Sequence, residues 1–287
     1  MNFTLTILGS ASALPFSDRN PSAQALSVHG RLFLIDCGEG TQQRIRQEHL
    51  SFVKIEAVFI SHIHGDHVFG LFGLLSTMSL YRRVAPLYIY GPGNLAPIIK
   101  FYLSYFGQDL GFEIVFQDVA DGLQLPASVA KHVTVSAFPL NHKIDCYGYR
   151  FDEVVSPRRN PWKPRSYAYC SDTAPFGGLC DAVRGVDILY HEATYPVEME
   201  NKAEQYHHST TRQAAACALD AGAGKLLVGH FSSRVKDIRQ LEAECREIFP
   251  ETVAVNDGDV FEIPYIREYE KMSSDIPDDA LRADSSV

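Results

Sequence analysis

Three histidines and one aspartate lie within six residues of one another near position 65. The segment from Ser61 to His67 reads SHIHGDH and follows an apolar stretch, Glu56–Ile60, that predicts a strand. Imidazole and carboxylate groups are ligands for zinc and related metals. A compact loop can direct the first two histidines to one side and the Asp-His pair to the other. The cluster therefore predicts two neighbouring metal sites, with a solvated polar loop as the alternative.

Three further candidate ligands follow predicted strands elsewhere: His142 after Val133–Phe138, Asp172 after Tyr167–Cys170 and His230 after Lys225–Val228. Side chains at the carboxyl ends of strands gather along one edge of an α/β sheet. Each of the three alone fits a structural role equally well. Together with the loop they make seven ligands, which suit two metals that clamp the attacking and leaving oxygens of a displacement at phosphorus.

The remaining pattern is an alternation of short strands and helices. The predicted helices are Thr41–Gln47, Phe69–Tyr81, Pro97–Phe106, Ser209–Ala221 and Asp237–Ile248; the other strands are Thr4–Leu8, Ala23–Val28, Leu32–Ile35, Pro86–Tyr90, Gly111–Phe116, Cys146–Phe151 and Val186–Tyr190, with a final hairpin of Val253–Val255 and Val260–Ile263. Such alternation is typical of an α/β fold.

The composition is that of a globular chain. It has 287 residues, 46% hydrophobic and 21% charged, with a net charge of −9. This charge excludes a basic tail that coats nucleic acid, but it leaves room for local basic patches. No apolar run is long enough for a membrane span or signal peptide. Six cysteines without a C-x-x-C pair predict free thiols and a cytoplasmic protein. We expect one domain over residues 1–270 and a flexible polar tail over 271–287.

Longer motifs resemble one family. The His-x-His-x-Asp-His pattern marks the metallo-β-lactamase superfamily, and within it the chain resembles ribonuclease Z, the endonuclease that matures tRNA 3′ ends. The motifs that carry this resemblance are Phe33–Gln42 (FLIDCGEGTQ), His191–Thr194 (HEAT), His208–Thr210 (HST) and Gly229–Arg234 (GHFSSR). The resemblance implies a four-layer αβ/βα sandwich, with two mixed β-sheets packed face to face and helices outside.

The resemblance also implies residue roles. His62, His64 and His142 would hold one zinc ion, Asp66, His67 and His230 a second, and Asp172 would bridge them; manganese or iron could replace zinc. Asp66 would also accept a proton from the attacking water. His208 would protonate the leaving oxygen, Glu192 would orient His208, and Arg234 would contact a substrate phosphate. From the residues alone, Glu192 could equally cap the following segment, and His208 could be a solvated helix-start residue.

One segment departs from the family pattern. Family members usually carry a long Gly/Pro-rich arm that grips the tRNA, between the positions that match His142 and Asp172. Here only 29 residues lie between those two positions. After the predicted strands, Asp152–Ser166 remains, which is too short for a folded arm. Its basic portion, Ser156–Arg165, predicts either a stub that contacts phosphates or a solvated loop.

The resemblance predicts an endoribonuclease that cuts precursor tRNA after the discriminator base and leaves a 3′-hydroxyl and a 5′-phosphorylated trailer. The alternative is a small-molecule or cyclic-nucleotide phosphodiesterase, because the arm is absent. A β-lactamase or thioesterase lacks the second set of motifs, and a silent RNA-binding module would be expected to lose ligands. The family also implies a homodimer. The apolar segments Phe69–Tyr81 and Pro97–Phe106 are candidate surfaces, unless they are simply core.

Overall fold

The computed structural model describes residues 2–14, 18–106, 109–155 and 162–265. The predicted flexible tail, 271–287, lies outside these residues, as does much of the basic segment, at 156–161. In the described residues, no helix is both long and apolar enough to cross a membrane. All six cysteines are described, and all are free thiols, as predicted.

Strands and helices alternate along the chain as predicted. The strands are β1 (Phe3–Gly9), β2 (Ala23–Val28), β3 (Arg31–Ile35), β4 (Ile55–Phe59), β5 (Leu87–Gly91), β6 (Ile114–Asp118), β7 (Val133–Pro139), β8 (Tyr147–Glu153), β9 (Ser166–Cys170), β10 (Ile188–Glu192), β11 (Lys225–Gly229), β12 (Thr252–Ala254) and β13 (Val260–Glu262). The helices are α1 (Thr41–Gln47), α2 (Gly65–Val68), α3 (Gly70–Leu80), α4 (Leu95–Phe106), α5 (Ala127–Ala130), α6 (Leu179–Ala182), α7 (Glu200–Tyr206), α8 (Thr211–Ala221) and α9 (Ile238–Arg246).

The strands form two mixed sheets. The first has the order β13-β1-β2-β3-β4-β5-β6, and the second has the order β12-β11-β10-β9-β8-β7. Strands β3 to β6 are parallel neighbours, and so are β9 to β12. Strand β7 is antiparallel to β8, which is antiparallel to β9, so β7 runs in the same direction as β9. The strands that precede predicted ligands in the second sheet therefore all end at one edge.

Three apolar cores hold the sandwich together. The middle core joins the inner faces of the two sheets, with Phe33 and Phe59 against Phe151. A second core lies between the first sheet and α1, α3 and α4, and a third lies between the other sheet and α6, α8 and α9. Three cores between four layers are the αβ/βα sandwich that the resemblance implied. Burial of apolar area in these layers is the main favourable term in folding.

Helix α8 shows how local sequence sets one of these layers. It begins after Thr210, whose side chain accepts a hydrogen bond from the Gln213 amide, while the Gln213 side chain caps Thr210 in return. Such a capping box satisfies two otherwise unpaired amides. Its buried face carries four alanines and Cys217, and such short side chains let the helix lie close to the sheet. The cap fixes the segment immediately after His208.

The predicted final hairpin is wrong. Strand β12 pairs in parallel with β11 in the second sheet, whereas β13 pairs antiparallel with β1 in the first. The connecting segment does turn at Asn256–Asp259, where the Asp259 amide donates a hydrogen bond to the Asn256 carbonyl, but it crosses between the sheets and is held to distant residues by Asp257. Its carboxylate accepts hydrogen bonds from the backbone and side chain of both Ser10 and Asn20. These partners are distant in sequence, so turn composition alone could not reveal them.

Candidate metal centre

The predicted ligands lie at one edge of the sandwich, just beyond strand ends. The loop after β4 carries four of them, and the segments after β7, β9 and β11 carry His142, Asp172 and His230. The loop is held close to its neighbours by Gly38, where an added Cβ would lie 2.5 Å from the Asp66 carbonyl oxygen. The absence of a side chain at Gly38 therefore permits this close approach to the loop.

Four side chains converge on a first point. The His64 Nδ1 atom lies 2.9 Å from His62 Nε2 and 3.3 Å from His142 Nε2. Asp172 Oδ2 completes this group, 3.6 Å from His62 Nε2 and 3.8 Å from His142 Nε2. The four ligand atoms lie within 4.8 Å of one another. A cation of zinc size coordinates such nitrogen and oxygen donors at about 2 Å, so this spacing can surround one.

The other carboxylate oxygen of Asp172 faces a second group. Asp172 Oδ1 lies 3.2 Å from His230 Nε2 and 3.5 Å from His67 Nε2. Asp66 Oδ2 lies 3.3 Å from His230 Nε2 and 3.4 Å from His67 Nε2. Asp172 therefore lies between the two groups and offers one oxygen to each.

The donor atoms fit a metal better than they fit one another. Asp172 Oδ1 and His67 Nε2 are both buried, and neither has a hydrogen-bond partner among the described residues. A buried polar atom without a partner is costly and needs an explanation. Burial opposes ionisation of Asp172, but His230 and His67 outweigh it and hold its pKa well below the usual range. An ionised carboxylate surrounded by imidazoles can hold a divalent cation.

Asp36 orients His67 from behind. Its fully buried carboxylate accepts hydrogen bonds from His67 Nδ1 at 2.8 Å, from the Tyr169 hydroxyl at 2.6 Å and from Ser61. Donation from Nδ1 leaves His67 Nε2 as the free ligand atom. In the sequence, Asp36 was named only as part of a motif that resembles the family. Its signal is a carboxylate directly after an apolar strand, the same pattern that indicated Asp172.

Two other ligands are oriented by groups that the sequence did not reveal. His142 Nδ1 donates to the backbone carbonyl of His207 at 3.0 Å, and His230 Nδ1 lies 2.8 Å from the Thr194 hydroxyl oxygen. His207 adopts a left-handed conformation with φ of 58°, which is uncommon for a residue other than glycine. A backbone carbonyl leaves no trace in side-chain patterns.

The buried Glu192 and the half-buried His208 form a pair beside these groups. Glu192 Oε1 lies 3.0 Å from His208 Nδ1 and also accepts the backbone amides of Ser209 and Thr173. Burial lowers the pKa of His208, but the Glu192 carboxylate outweighs this and raises it to about 9. A ring nitrogen of His208 lies within 4.8 Å of ligand atoms of Asp172 and His230. His208 can therefore present a proton to the same space.

The site opens into a cavity of about 460 Å³. Its lining includes Asp172 and His208, and also Arg234 on the segment after β11. Lys143 and Tyr206 lie on the wall near His208, and neither was singled out from the sequence. All ten predicted site residues thus lie at or directly behind one cavity.

Comparisons with known proteins agree with this architecture. Residues 31–231 match the Beta-lactamase superfamily domain. Ribonuclease Z from Porphyromonas gingivalis strain W83 is 34% identical over 89% of this chain and 97% of its own. Ribonuclease BN from Erwinia tasmaniensis is 36% identical over 90% of this chain and 99% of its own.

Solved structures agree as well. The human short-form tRNase Z superposes with a TM-score of 0.74 and 31% identity, over 91% of this chain and 99% of that one. The match with a yeast long-form RNase Z, at 17% identity and a TM-score of 0.76, concerns the fold alone. The two-sheet sandwich, the His/Asp clusters and these likenesses together show that the chain belongs to the ribonuclease Z family of the metallo-β-lactamase superfamily, a family of metal-dependent hydrolytic nucleases.

Proposed function

We propose that this chain is an endoribonuclease that cleaves precursor tRNA after the discriminator base and leaves a tRNA 3′-hydroxyl and a 5′-phosphorylated trailer. The observation that carries the proposal is Asp172, which offers one oxygen to each of two ligand groups beside the Glu192–His208 pair. The relatives named ribonuclease Z and tRNase Z support RNA as the substrate.

The ligand set supports two divalent metals, which we propose to be zinc. His62, His64 and His142 would hold one ion, Asp66, His67 and His230 the other, and Asp172 both. When bound, such a pair polarises the phosphate and lowers the pKa of water toward neutral pH. The protein itself fixes the donor atoms, because Asp36, Thr194 and the His207 carbonyl each hold the far nitrogen of a ligand ring.

The other site residues would move protons and hold the phosphate. Asp66 belongs to the second ligand group and would also accept a proton from the attacking water. His208, held by Glu192, would donate a proton to the ribose 3′-oxygen as the phosphorus–oxygen bond breaks. The exposed guanidinium of Arg234 lines the same cavity and would bind a phosphate oxygen, for which its planar fork is suited.

The test is cleavage of a 3′-extended tRNA transcript by the metal-loaded protein, in parallel with bis(p-nitrophenyl) phosphate. His208→Ala should slow tRNA cleavage by about 10²- to 10⁴-fold, the usual contribution of a general acid. The small diester should be affected less, since p-nitrophenolate leaves without needing a proton. His132→Ala, a histidine outside the cavity, is the matched control and should cleave both substrates normally.

Two results would contradict the proposal. If the diester is hydrolysed while the tRNA stays intact, the function is that of a small-molecule phosphodiesterase, and the short Asp152–Ser166 segment is the physical reason. If His208→Ala slows both substrates equally, His208 does not act as the proton donor. Cleavage of tRNA at the expected nucleotide would show instead that the long arm is dispensable.

We further propose that the chain forms a homodimer through α3 and α4. Phe101 and Tyr105 are 59% and 76% exposed on α4, and their rings lie 4.7 Å apart. Leu80, the last residue of α3, and Val84, just beyond it, are over 80% exposed. Clustered exposed apolar side chains mark interaction surfaces. Tyr105→Glu should shift the species in sedimentation velocity toward monomer, whereas Leu219→Glu, an exposed apolar residue on α8, should not.

A further inference from the structure

Two cations at the mouth of the cavity have no carboxylate partner. Lys143 and Arg234 are exposed and line the same cavity as the metal ligands. Within the part of the chain that the structure describes, neither forms an ion pair. In a chain with a net charge of −9, cations without a carboxylate partner at the edge of the cavity create a local attraction for anions.

Lys143 also contacts an exposed aromatic ring. Its ammonium lies 4.7 Å from the centre of the Tyr206 ring, a cation–π distance. Tyr206 remains 42% exposed at the cavity wall. A solvent-facing aromatic ring beside a cation is the combination that binds single-stranded nucleic acid, because the ring stacks on a base and the cation neutralises phosphate.

The chain holds this pair next to the proposed proton donor. Lys143 directly follows His142, and Tyr206 directly precedes His207, whose carbonyl accepts the hydrogen bond from His142 Nδ1 at 3.0 Å. The next residue, His208, is fixed by Glu192. One hydrogen bond between two backbone segments thus sets both the metal ligand and the position of the ring.

We propose that Lys143 and Tyr206 form a nucleoside subsite for the nucleotide on the 5′ side of the scissile bond, which carries the leaving 3′-oxygen. The assignment of the 5′ side rests on the proposed function, since it follows from His208 as the donor to that oxygen. The base stacks on Tyr206, and the Lys143 ammonium binds the phosphate backbone. The subsite therefore prefers a nucleoside 3′-phosphate, whose phosphate reaches the ligand groups while its base lies on the ring.

The test is direct binding of adenosine 3′-phosphate and adenosine 5′-phosphate to the metal-loaded protein, measured by titration calorimetry, with inorganic phosphate as the reference ligand. The wild type should bind the 3′-phosphate more tightly than the 5′-phosphate. Tyr206→Ala should weaken binding of the 3′-phosphate by roughly ten- to a hundred-fold, the range for loss of one stacked base. Tyr206→Phe keeps the ring and should retain most of the affinity.

Lys143→Met should weaken binding of both nucleotides. The matched control is Lys131→Met, which changes an exposed lysine outside the cavity and should bind both nucleotides as the wild type does. Inorganic phosphate should bind Tyr206→Ala as it binds the wild type, which separates loss of stacking from damage to the metal centre. Equal affinities for the two nucleotides in the wild type, or equal losses for all three ligands in Tyr206→Ala, would overturn the subsite. A preserved 3′-phosphate preference in a protein that leaves tRNA uncut would support the subsite and contradict the proposed function.

Discussion

Strand β9 carries a buried charge cluster at each end, and the two clusters differ in kind. At its start, Arg165 binds Glu153 through two donors, at 2.8 and 2.9 Å, and Glu153 also lies 2.6 Å from His29. Beyond its end, Asp172 lies among histidines, and its buried Oδ1 has no hydrogen-bond partner in the described part of the chain. The guanidinium and carboxylate of the first cluster are paired within the fold, whereas the second gathers the atoms of two metal-ligand groups and leaves two of them, Asp172 Oδ1 and His67 Nε2, without a hydrogen-bond partner among the described residues.

The difference distinguishes a cluster with a structural role from a cluster that can bind a ligand. A paired and hydrogen-bonded buried charge is satisfied within the fold. A buried group of ligands with unpartnered atoms is instead satisfied by something from outside the chain, and a metal cation fits these nitrogen and oxygen atoms. The protein therefore places its self-sufficient cluster away from the cavity and its incomplete cluster at the cavity floor.

The largest expected effect comes from the shared carboxylate. Asp172→Ala should abolish binding of both metals under conditions that load the wild type. It should slow phosphodiester hydrolysis by more than the roughly 10- to 100-fold that loss of an outer-shell partner costs. Metal content by mass spectrometry and hydrolysis of bis(p-nitrophenyl) phosphate check this. Retention of two ions by the variant would show that Asp172 is not shared.

The Arg165–Glu153 cluster should respond in the opposite way. Arg165→Met leaves Glu153 buried without its main partner and should reduce the free energy of unfolding by about 3–5 kcal/mol. Metal content of the folded protein should not change. Urea unfolding checks stability, and the double variant Arg165→Met/Glu153→Gln should recover part of the loss. A fall in metal content alone would mean that the two ends of β9 are not independent.

Asp36 tests the support behind a ligand. Asp36→Asn removes the charge that faces His67 Nδ1 and should weaken metal binding by about 10- to 100-fold. Competition with a chromophoric chelator measures this affinity. The control is Asp237→Asn, an exposed carboxylate at the start of α9, which should bind metal as the wild type does. Unchanged affinity in Asp36→Asn would show that Ser61 and Tyr169 suffice to fix the site.

His207 tests whether a backbone conformation matters. His207→Gly keeps the left-handed conformation accessible, whereas His207→Val adds strain of about 1–3 kcal/mol. We expect Val to weaken metal binding and Gly to preserve it, because the His207 carbonyl orients His142. Equal affinities for the two variants, from the same chelator competition, would show that the carbonyl is not needed.

The sequence predicts most of this fold because its signals are local. Apolar runs locate the strands, and the ligand residues directly follow them, so the edge that bears the site could be predicted. What it misses depends on distant partners. Asp257, in the segment that crosses between the sheets, is held by hydrogen bonds from Ser10 and Asn20. The role of the His207 carbonyl belongs to the backbone, so no side chain indicates it. Lys143 and Tyr206 are 63 residues apart in sequence and meet only because His142 and His207 are hydrogen-bonded.

The smallest expected effect is the change in protein stability with pH that Glu153 contributes. Burial would raise the pKa of Glu153, but its hydrogen bonds with Arg165 outweigh this and lower it. A carboxyl whose folded pKa is depressed contributes stability that is present above its unfolded pKa and is lost as pH falls through the folded value. The wild type should therefore lose more stability than Arg165→Met between neutral and acid pH. Parallel slopes of unfolding midpoint against pH in the two proteins would contradict this linkage, because Asp66 and Asp172 titrate in both backgrounds and only the Glu153 contribution differs.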